Sequence, residues 1–165
     1  MRRSAVTSSV NPDPQEVESE VCRVLDAHGL KPSLGDVFFI YRSTPAVVDP
    51  AQGVVCGWHA NLQCHGQSMV VSYVAGPAGS NGACIGKAQC NTLSAGATAM
   101  VNITAHEFME SITDPDIDRG AWIDEKGAEI ADKCAFDSGY CVGLTGGVFL
   151  LPSQYSNRTQ TCVIE

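Results

Sequence analysis

The stretch Thr104-Ala105-His106-Glu107-Phe108-Met109-Glu110 carries the pattern His-Glu-x-x-Glu. On a helix, residues four apart lie on one face, one turn apart. His106 and Glu110 can then grip one metal ion between them. Glu107 stands where zinc peptidases of the His-Glu-x-x-His type place the general base that activates the metal-bound water. The second His of that pattern is Glu110 here, and Glu is an accepted zinc ligand. The stretch therefore predicts a metal-site helix over Thr98 to Thr113, with Val101, Phe108 and Ile112 packed on apolar neighbours and His106 and Glu110 facing a cleft. Asp114-Pro115 ends it, because a residue ahead of proline avoids the helical region. A helix that merely carries one His and two acids is the plain alternative.

A catalytic zinc site needs a third protein ligand and an open fourth position. Acids crowd the chain after the helix: Asp114, Asp116, Asp118, Asp124, Glu125, Glu129 and Asp132. Glu129, 19 residues after Glu110, resembles the thermolysin-like arrangement and is the favoured third ligand. Asp132 stands behind it, as an orienting partner or replacement ligand. Asp116, ten residues after His106, would suit a metzincin-like site, and Asp114 could share the helix face. A solvated acidic loop is the alternative for any one of these acids. Calcium competes for the same stretch: Asp114, Asp116, Asp118, Gly120 and Glu125 fall at EF-hand-like positions 1, 3, 5, 7 and 12. Arg119 stands where that loop needs Gly, so a less regular calcium site is the better form of this reading.

The remaining histidines divide by context. His59, in Cys56-Gly57-Trp58-His59, lies on a predicted strand and could donate a hydrogen bond to a substrate oxyanion. His65, next to Cys64, is poorly spaced for a zinc knuckle, and His28 fits a helix C-terminus. No Gly-x-Ser-x-Gly occurs, so a serine nucleophile finds no support.

Around this helix the chain reads as α+β: a single zincin-like domain over residues 14–165, with residues 1–13 as a disordered N-terminal segment. A small mixed or antiparallel sheet packs on the metal-site helix. Pro14 to His28 is helical, with Val17, Val21, Val24 and Leu25 at helical spacing, Asp13 as cap and Gly29 as stop. Strands are expected at Asp36–Tyr41, Gly53–Ala60, Ser68–Ala75, Gly147–Leu151 and Thr161–Ile164, with a turn at Cys64-His65-Gly66 and another at Glu125-Lys126-Gly127. Gly76 to Leu93 reads as a long loop.

Eight cysteines, with no Cys-x-x-Cys pair, point to disulfides in an oxidising compartment rather than to a zinc ribbon. Cys84 and Cys90 are natural local partners. Cys134, Cys141 and Cys162 are expected to tie the C-terminal strands to the acidic loop. A leader should accompany such cysteines, and polar Ser4 to Gln15 supplies no apolar segment, so the expectation is a mature or trimmed chain or a misplaced start. Of two glycosylation sequons, Asn102-Ile103-Thr104 falls inside the metal helix, while Asn157-Arg158-Thr159 lies in a polar stretch and is the plausible acceptor. The chain has 165 residues, 44 % of them hydrophobic, and a formal net charge of −8 with only 10 Lys and Arg. The basic residues form no cluster, which argues against a nucleic-acid partner, and no apolar run approaches the roughly 18 residues of a membrane span.

Three blocks in order carry a resemblance: Val55-Cys56-Gly57-Trp58-His59; His106 to Pro115; and Ala121-Trp122-Ile123-Asp124 with Gly127 to Cys134. Together with Phe149-Leu150-Leu151-Pro152 and Thr161-Cys162, they resemble the phosphate-induced protein 1 (EXORDIUM-like) family and its bacterial and fungal relatives, over roughly residues 36 to 163. The resemblance implies a secreted, cell-wall-associated protein with growth-related roles and no assigned chemistry. In that family position 114 is often Asn and some plant members lack the His-Glu pair, whereas the pair at 129 and 132 is steadier. Two functions therefore stand. One is a secreted zinc-dependent hydrolase, a metallopeptidase acting on a peptide or protein, with Glu107 as base. The other is a non-enzymatic extracellular protein that contacts a cell-wall component and carries a structural calcium or acidic-loop site.

Overall fold

The computed structural model describes residues 12–164, except 46–47, 50–52, 77–83, 85–89, 91–92, 117–121, 136 and 138; of Thr44, Pro45, Val48 and Asp49 it describes the backbone only. Residues 1–11 of the segment expected to be disordered, most of the 76–93 loop, and Asp118 and Gly120 of the calcium reading thus lie outside the described residues, whereas Pro12 is buried and Asp13 caps the first helix.

Helix α1 spans Pro14–His28. Asp13 caps it by accepting from the Gln15 N–H at 2.9 Å, and Gly29 closes it in the left-handed conformation at φ 63°, as N-cap and C-cap chemistry requires. Strands β1 (Val37–Pro45), β4 (Gly57–Cys64) and β5 (Gln67–Gly76) form a mixed sheet with β5 in the centre, parallel to β1 and antiparallel to β4. Short β2 (Val48–Asp49) and β3 (Gly53–Val54) pair with each other. The β4–β5 hairpin turns at His65 and Gly66, whose φ values of 52° and 75° give the doubly left-handed turn that matches strand twist.

Helix α2 runs Ala95–Thr113, three residues longer at its start than the spacing predicts, because Ser94 caps it by accepting from the Ala97 N–H. A 3-10 turn follows at Asp132–Cys134, then hairpin β6 (Tyr140–Leu144) with β7 (Gly147–Leu151), and β8 (Gln154–Ser156) with β9 (Thr161–Val163). β2, β6 and β8 are additions to the sequence reading, and the expected Gly53–Ala60 strand divides into β3 and β4 on either side of Val55 and Cys56. The added strands are short, and β6 is mostly exposed, so none shows a clear alternation.

Side chains alternate across β5, so the sheet has two different faces. Met69 and Val71, with Leu62 and Cys64 of β4, meet Val17, Val21 and Leu25 of α1 in an apolar cluster. The opposite face meets α2, and there Ser72 and Ser111 share a buried hydroxyl contact at 2.7 Å while Ser111 also donates to the Glu107 carbonyl. The side of α2 that packs inward is Thr98, Ala99, Ile103, Glu107, Glu110 and Ser111. Phe108 and Ile112 are 43 % and 53 % exposed, contrary to expectation. Small and polar residues let the helix approach the sheet closely, and that displaces the bulky apolar ones to the rim, where Phe108 touches Phe39.

All eight cysteines are paired, as Cys22–Cys64, Cys56–Cys84, Cys90–Cys141 and Cys134–Cys162. The expected Cys84–Cys90 bridge is therefore wrong. Cys84 is buried in the cluster of Tyr73, Val74, Ala75 and Ile103, against which Cys56 packs, while Cys90 reaches the β6 hairpin. Folding places distant cysteines side by side and leaves sequence neighbours apart. Cys134–Cys162 does tie the acidic segment to the last strand, and Cys22–Cys64 fastens α1 to the sheet. Among the described residues, no helix is long and apolar enough to cross a membrane.

Candidate metal centre

On α2 the residues His106, Glu110 and Asp114 succeed one another at intervals of four, and Glu107 lies on the same inward side. Against them comes the segment 122–135. Its geometry is organised by Asp124, whose carboxylate accepts from the Lys126 and Ala128 N–H groups at 2.8 and 3.0 Å and pairs with Lys133 Nζ at 3.0 Å. Gly127 takes φ 82° in this turn, a conformation that favours glycine. The segment is anchored again where the Asp132 N–H donates to Glu110 Oε1 at 3.0 Å and the Tyr155 N–H donates to the Ile130 carbonyl. Glu129 and Asp132 are thereby delivered to α2.

His106 Nε2 lies 3.2 Å from Glu110 Oε1 and 3.2 Å from Asp132 Oδ1. Two donors bound to one tetrahedral zinc, each about 2.0–2.1 Å from it, stand roughly 3.3 Å apart. The two distances from His106 match a zinc edge length, and one ligand atom from each of the three side chains lies within 4.8 Å of the others. Asp132, rather than Glu129, is the acid nearest this pair. Glu129 turns toward His59, with Oε1 at 3.7 Å from Nε2, and its ligand atom groups with those of His59 and Asp114 instead.

His59 lies in the site, but its nitrogens face protein groups rather than open space. Nε2 is 3.1 Å from the Asp114 carbonyl oxygen. Nδ1 is 3.8 Å from Glu107 Oε2 and 3.9 Å from Glu110 Oε2. Asn61, two residues along β4 on the same face, donates to the Pro115 carbonyl at 3.1 Å. Together the two side chains bind the exit of α2 to the sheet. The place of His59 is beside the Glu107 carboxylate.

Glu107 is 4 % exposed, and its Oε2 has no hydrogen-bond partner among the described residues. Gly57 explains how it fits: a Cβ there would stand 2.5 Å from Glu107 Oε1, 2.8 Å from Ile103 Cγ2 and 2.9 Å from the Tyr73 carbonyl. Burial raises the Glu107 carboxyl above its ordinary range, opposed by His59 and His106. Burial also works against charge on the two imidazoles. The Asp132 and Glu110 hydrogen bonds nevertheless raise His106 to about 10, and Glu107 and Glu129 raise His59 to about 9. Burial and the adjoining Glu110 push Glu129 up to about 8, while the His106 hydrogen bond holds Asp132 low.

The site opens to a cavity of about 660 Å³, lined by His59, His106, Glu107, Glu110, Glu129 and Asp132 together with apolar Val54, Val55, Trp58, Ile103, Leu150 and Pro152. Asp116 lies outside these groups of metal-type ligands. Cys134 and Cys162 stand near Asp137 but are spent in their disulfide. Asn102 is half-buried and donates to the Leu150 carbonyl, whereas Asn157 is exposed in the β8–β9 turn. Sequence reasoning missed Asn61, Gly57 and the organising role of Asp124. For the last two, the Cys-Gly-Trp-His block and the Asp-x-x-Gly spacing were the available signals.

Compared with known proteins, the chain matches no family model, no curated protein and no solved structure.

Proposed function

We propose that this chain is a secreted zinc-dependent hydrolase of peptide bonds, with His106, Glu110 and Asp132 as metal ligands and Glu107 as general base. The observation that carries the reading is the placement of Glu110 Oε1 and Asp132 Oδ1 each 3.2 Å from His106 Nε2 on the wall of a cavity, beside the buried Glu107 carboxylate, whose Oε2 has no hydrogen-bond partner among the described residues. Zinc, when bound, supplies Lewis-acid polarisation of a carbonyl and acidifies water. The chain's own residues do the rest. Glu107 accepts the proton of the attacking water at Oε2 and returns it to the leaving amine. His59 Nδ1 faces that oxygen and holds Glu107 against the cleft. The two carboxylate ligands leave less positive charge on the metal than two imidazoles would, which increases the demand on Glu107 as base.

A peptide substrate is supported by the shape of the site. β4 is an edge strand of the sheet, and the residues leading into it line the same cavity. An extended chain can add to such an edge by main-chain hydrogen bonds while its side chains enter apolar pockets. Four disulfides support an oxidising, extracellular compartment. Kinship with the phosphate-induced protein 1 family is part of the same proposal and rests on the order of its motifs.

The test is a set of zinc measurements and peptide cleavage with a quenched-fluorescent peptide library. Glu107→Gln should keep zinc and lower kcat by about 10²–10⁴-fold, and His106→Ala should lose the zinc of this cluster and activity together. Undiminished cleavage by Glu107→Gln excludes this mechanism. A wild-type protein that takes up no zinc on equilibrium dialysis at neutral pH is instead a non-enzymatic extracellular domain.

A further inference from the structure

Beyond the His106 cluster, we infer that His59, Asp114 and Glu129 form a second divalent-cation site of the zinc type, adjoining the first. The inference deepens the metal reading but stands on a separate ligand set.

The carrying observation is Asp114. Its side chain is 1 % exposed, and neither carboxylate oxygen has a hydrogen-bond partner among the described residues. A buried carboxylate left in that state is costly, and native proteins compensate such a group with a donor, a proton or a cation. Among the described residues the only donor facing it would be Glu129 in its protonated form. What faces Asp114 is a second acid, Glu129, and the imidazole of His59, with one ligand atom from each of the three within 4.8 Å of the others. His59 Nε2 lies 3.1 Å from the Asp114 carbonyl and 3.7 Å from Glu129 Oε1, so two oxygens already converge on that nitrogen.

The two clusters have the same composition: one imidazole and two carboxylates each. His106, Glu110 and Asp132 make the first; His59, Asp114 and Glu129 make the second. The arrangement follows from helix geometry. Residues 106, 110 and 114 of α2 and its exit stand one turn apart, while Glu129 and Asp132 approach from the facing segment. Asp132 thus meets the upper pair, and Glu129 meets the lower acid.

Charge counting points the same way. Five carboxylates (Glu107, Glu110, Asp114, Glu129 and Asp132) surround two imidazoles. One zinc at the first cluster and one proton on His59 leave two negative charges uncompensated in a largely buried space. A second dication in place of that proton brings the group within one charge of neutrality. An imidazole among the donors selects zinc-type ions over calcium, which takes oxygen ligands. His59 and Glu129 line the cavity, so the second position is reached from the same side as the first.

The experiment is zinc stoichiometry on chelator-stripped protein, by equilibrium dialysis and elemental analysis at neutral pH. Wild type should bind two zinc ions per chain, Asp114→Asn one, His106→Ala one, and the double variant none. A single zinc that His106→Ala removes and Asp114→Asn keeps overturns the second site and leaves the first standing. A single zinc that Asp114→Asn removes and His106→Ala keeps supports the second site and overturns the first. If Asp114→Asn fails to fold, cobalt titration of the stripped wild type decides: visible absorption that rises to two equivalents supports the pair, and saturation at one refutes it.

Discussion

The two faces of the central sheet solve different problems. The face under α1 is filled by Val17, Val21, Leu25, Leu62, Met69 and Val71, with no buried charge among the described residues. The face under α2 buries Ser72, Glu107, Glu110, Ser111 and Asp114. Apolar burial stabilises the first face in proportion to the area removed from water. The second combines apolar burial of Val74, Ala99 and Ile103 with ionisable groups whose burial is unfavourable unless something compensates them. One β-strand, β5, serves both, because alternate side chains point to opposite sides. Stability and chemistry are therefore separated by the thickness of a single sheet.

The sharpest way to break this comparison is Leu25→Ala. Leu25 is fully buried against the sheet, and truncation should cost about 2–5 kcal/mol of unfolding free energy. Denaturant titration gives that value, while zinc uptake by the folded variant should be unchanged. A simultaneous loss of zinc would show that the faces are not independent.

A smaller effect is expected across the sheet. Ser72→Ala removes the hydroxyl partner of Ser111 but leaves the Ser111 bond to the Glu107 carbonyl intact. The expected cost is about 0.5–1.5 kcal/mol, measured by the same titration. A value as large as that of Leu25→Ala would mean that the polar face carries as much of the fold as the apolar one.

The smallest effect concerns the segment that faces α2. The Ala128 N–H, Lys133 and the Lys126 N–H depress the Asp124 carboxyl to about 2 from an ordinary value of 3.8. A depressed acid contributes stability that is present above its unfolded value and is lost as pH falls through its folded one. The Tm difference between wild type and Asp124→Asn should accordingly be full at pH 5, shrink below about 3.8, and vanish near pH 2. A difference independent of pH over that window would assign Asp124 a role that does not depend on its charge.

Some of this was legible in the chain. The caps of α1 at Asp13 and Gly29, the His65-Gly66 turn and the stop at Asp114-Pro115 are local signals, and each was read correctly. The helix bearing His106, Glu107 and Glu110 was placed for the same reason, since the spacing of three residues on one helix is fixed by its pitch. The inward face of that helix was misjudged at Phe108 and Ile112, because apolar character alone does not say which side a neighbour will cover. Here the close fit of Ser72 to Ser111 and of Gly57 to Glu107 chose the side.

The sequence by itself determined the α+β character, the pairing-ready cysteines and the helical spacing of His106, Glu107 and Glu110. Local propensity and residue chemistry decide these, and both are written along the chain. Only the tertiary structure decided that Cys56 meets Cys84, that Asp132 rather than Glu129 stands at His106, and that Asp114 is buried against His59 and Glu129. These depend on how a sheet, a helix and a returning segment approach one another. Contacts between residues 20 to 60 positions apart are set by the packing of whole elements, and no local pattern encodes them.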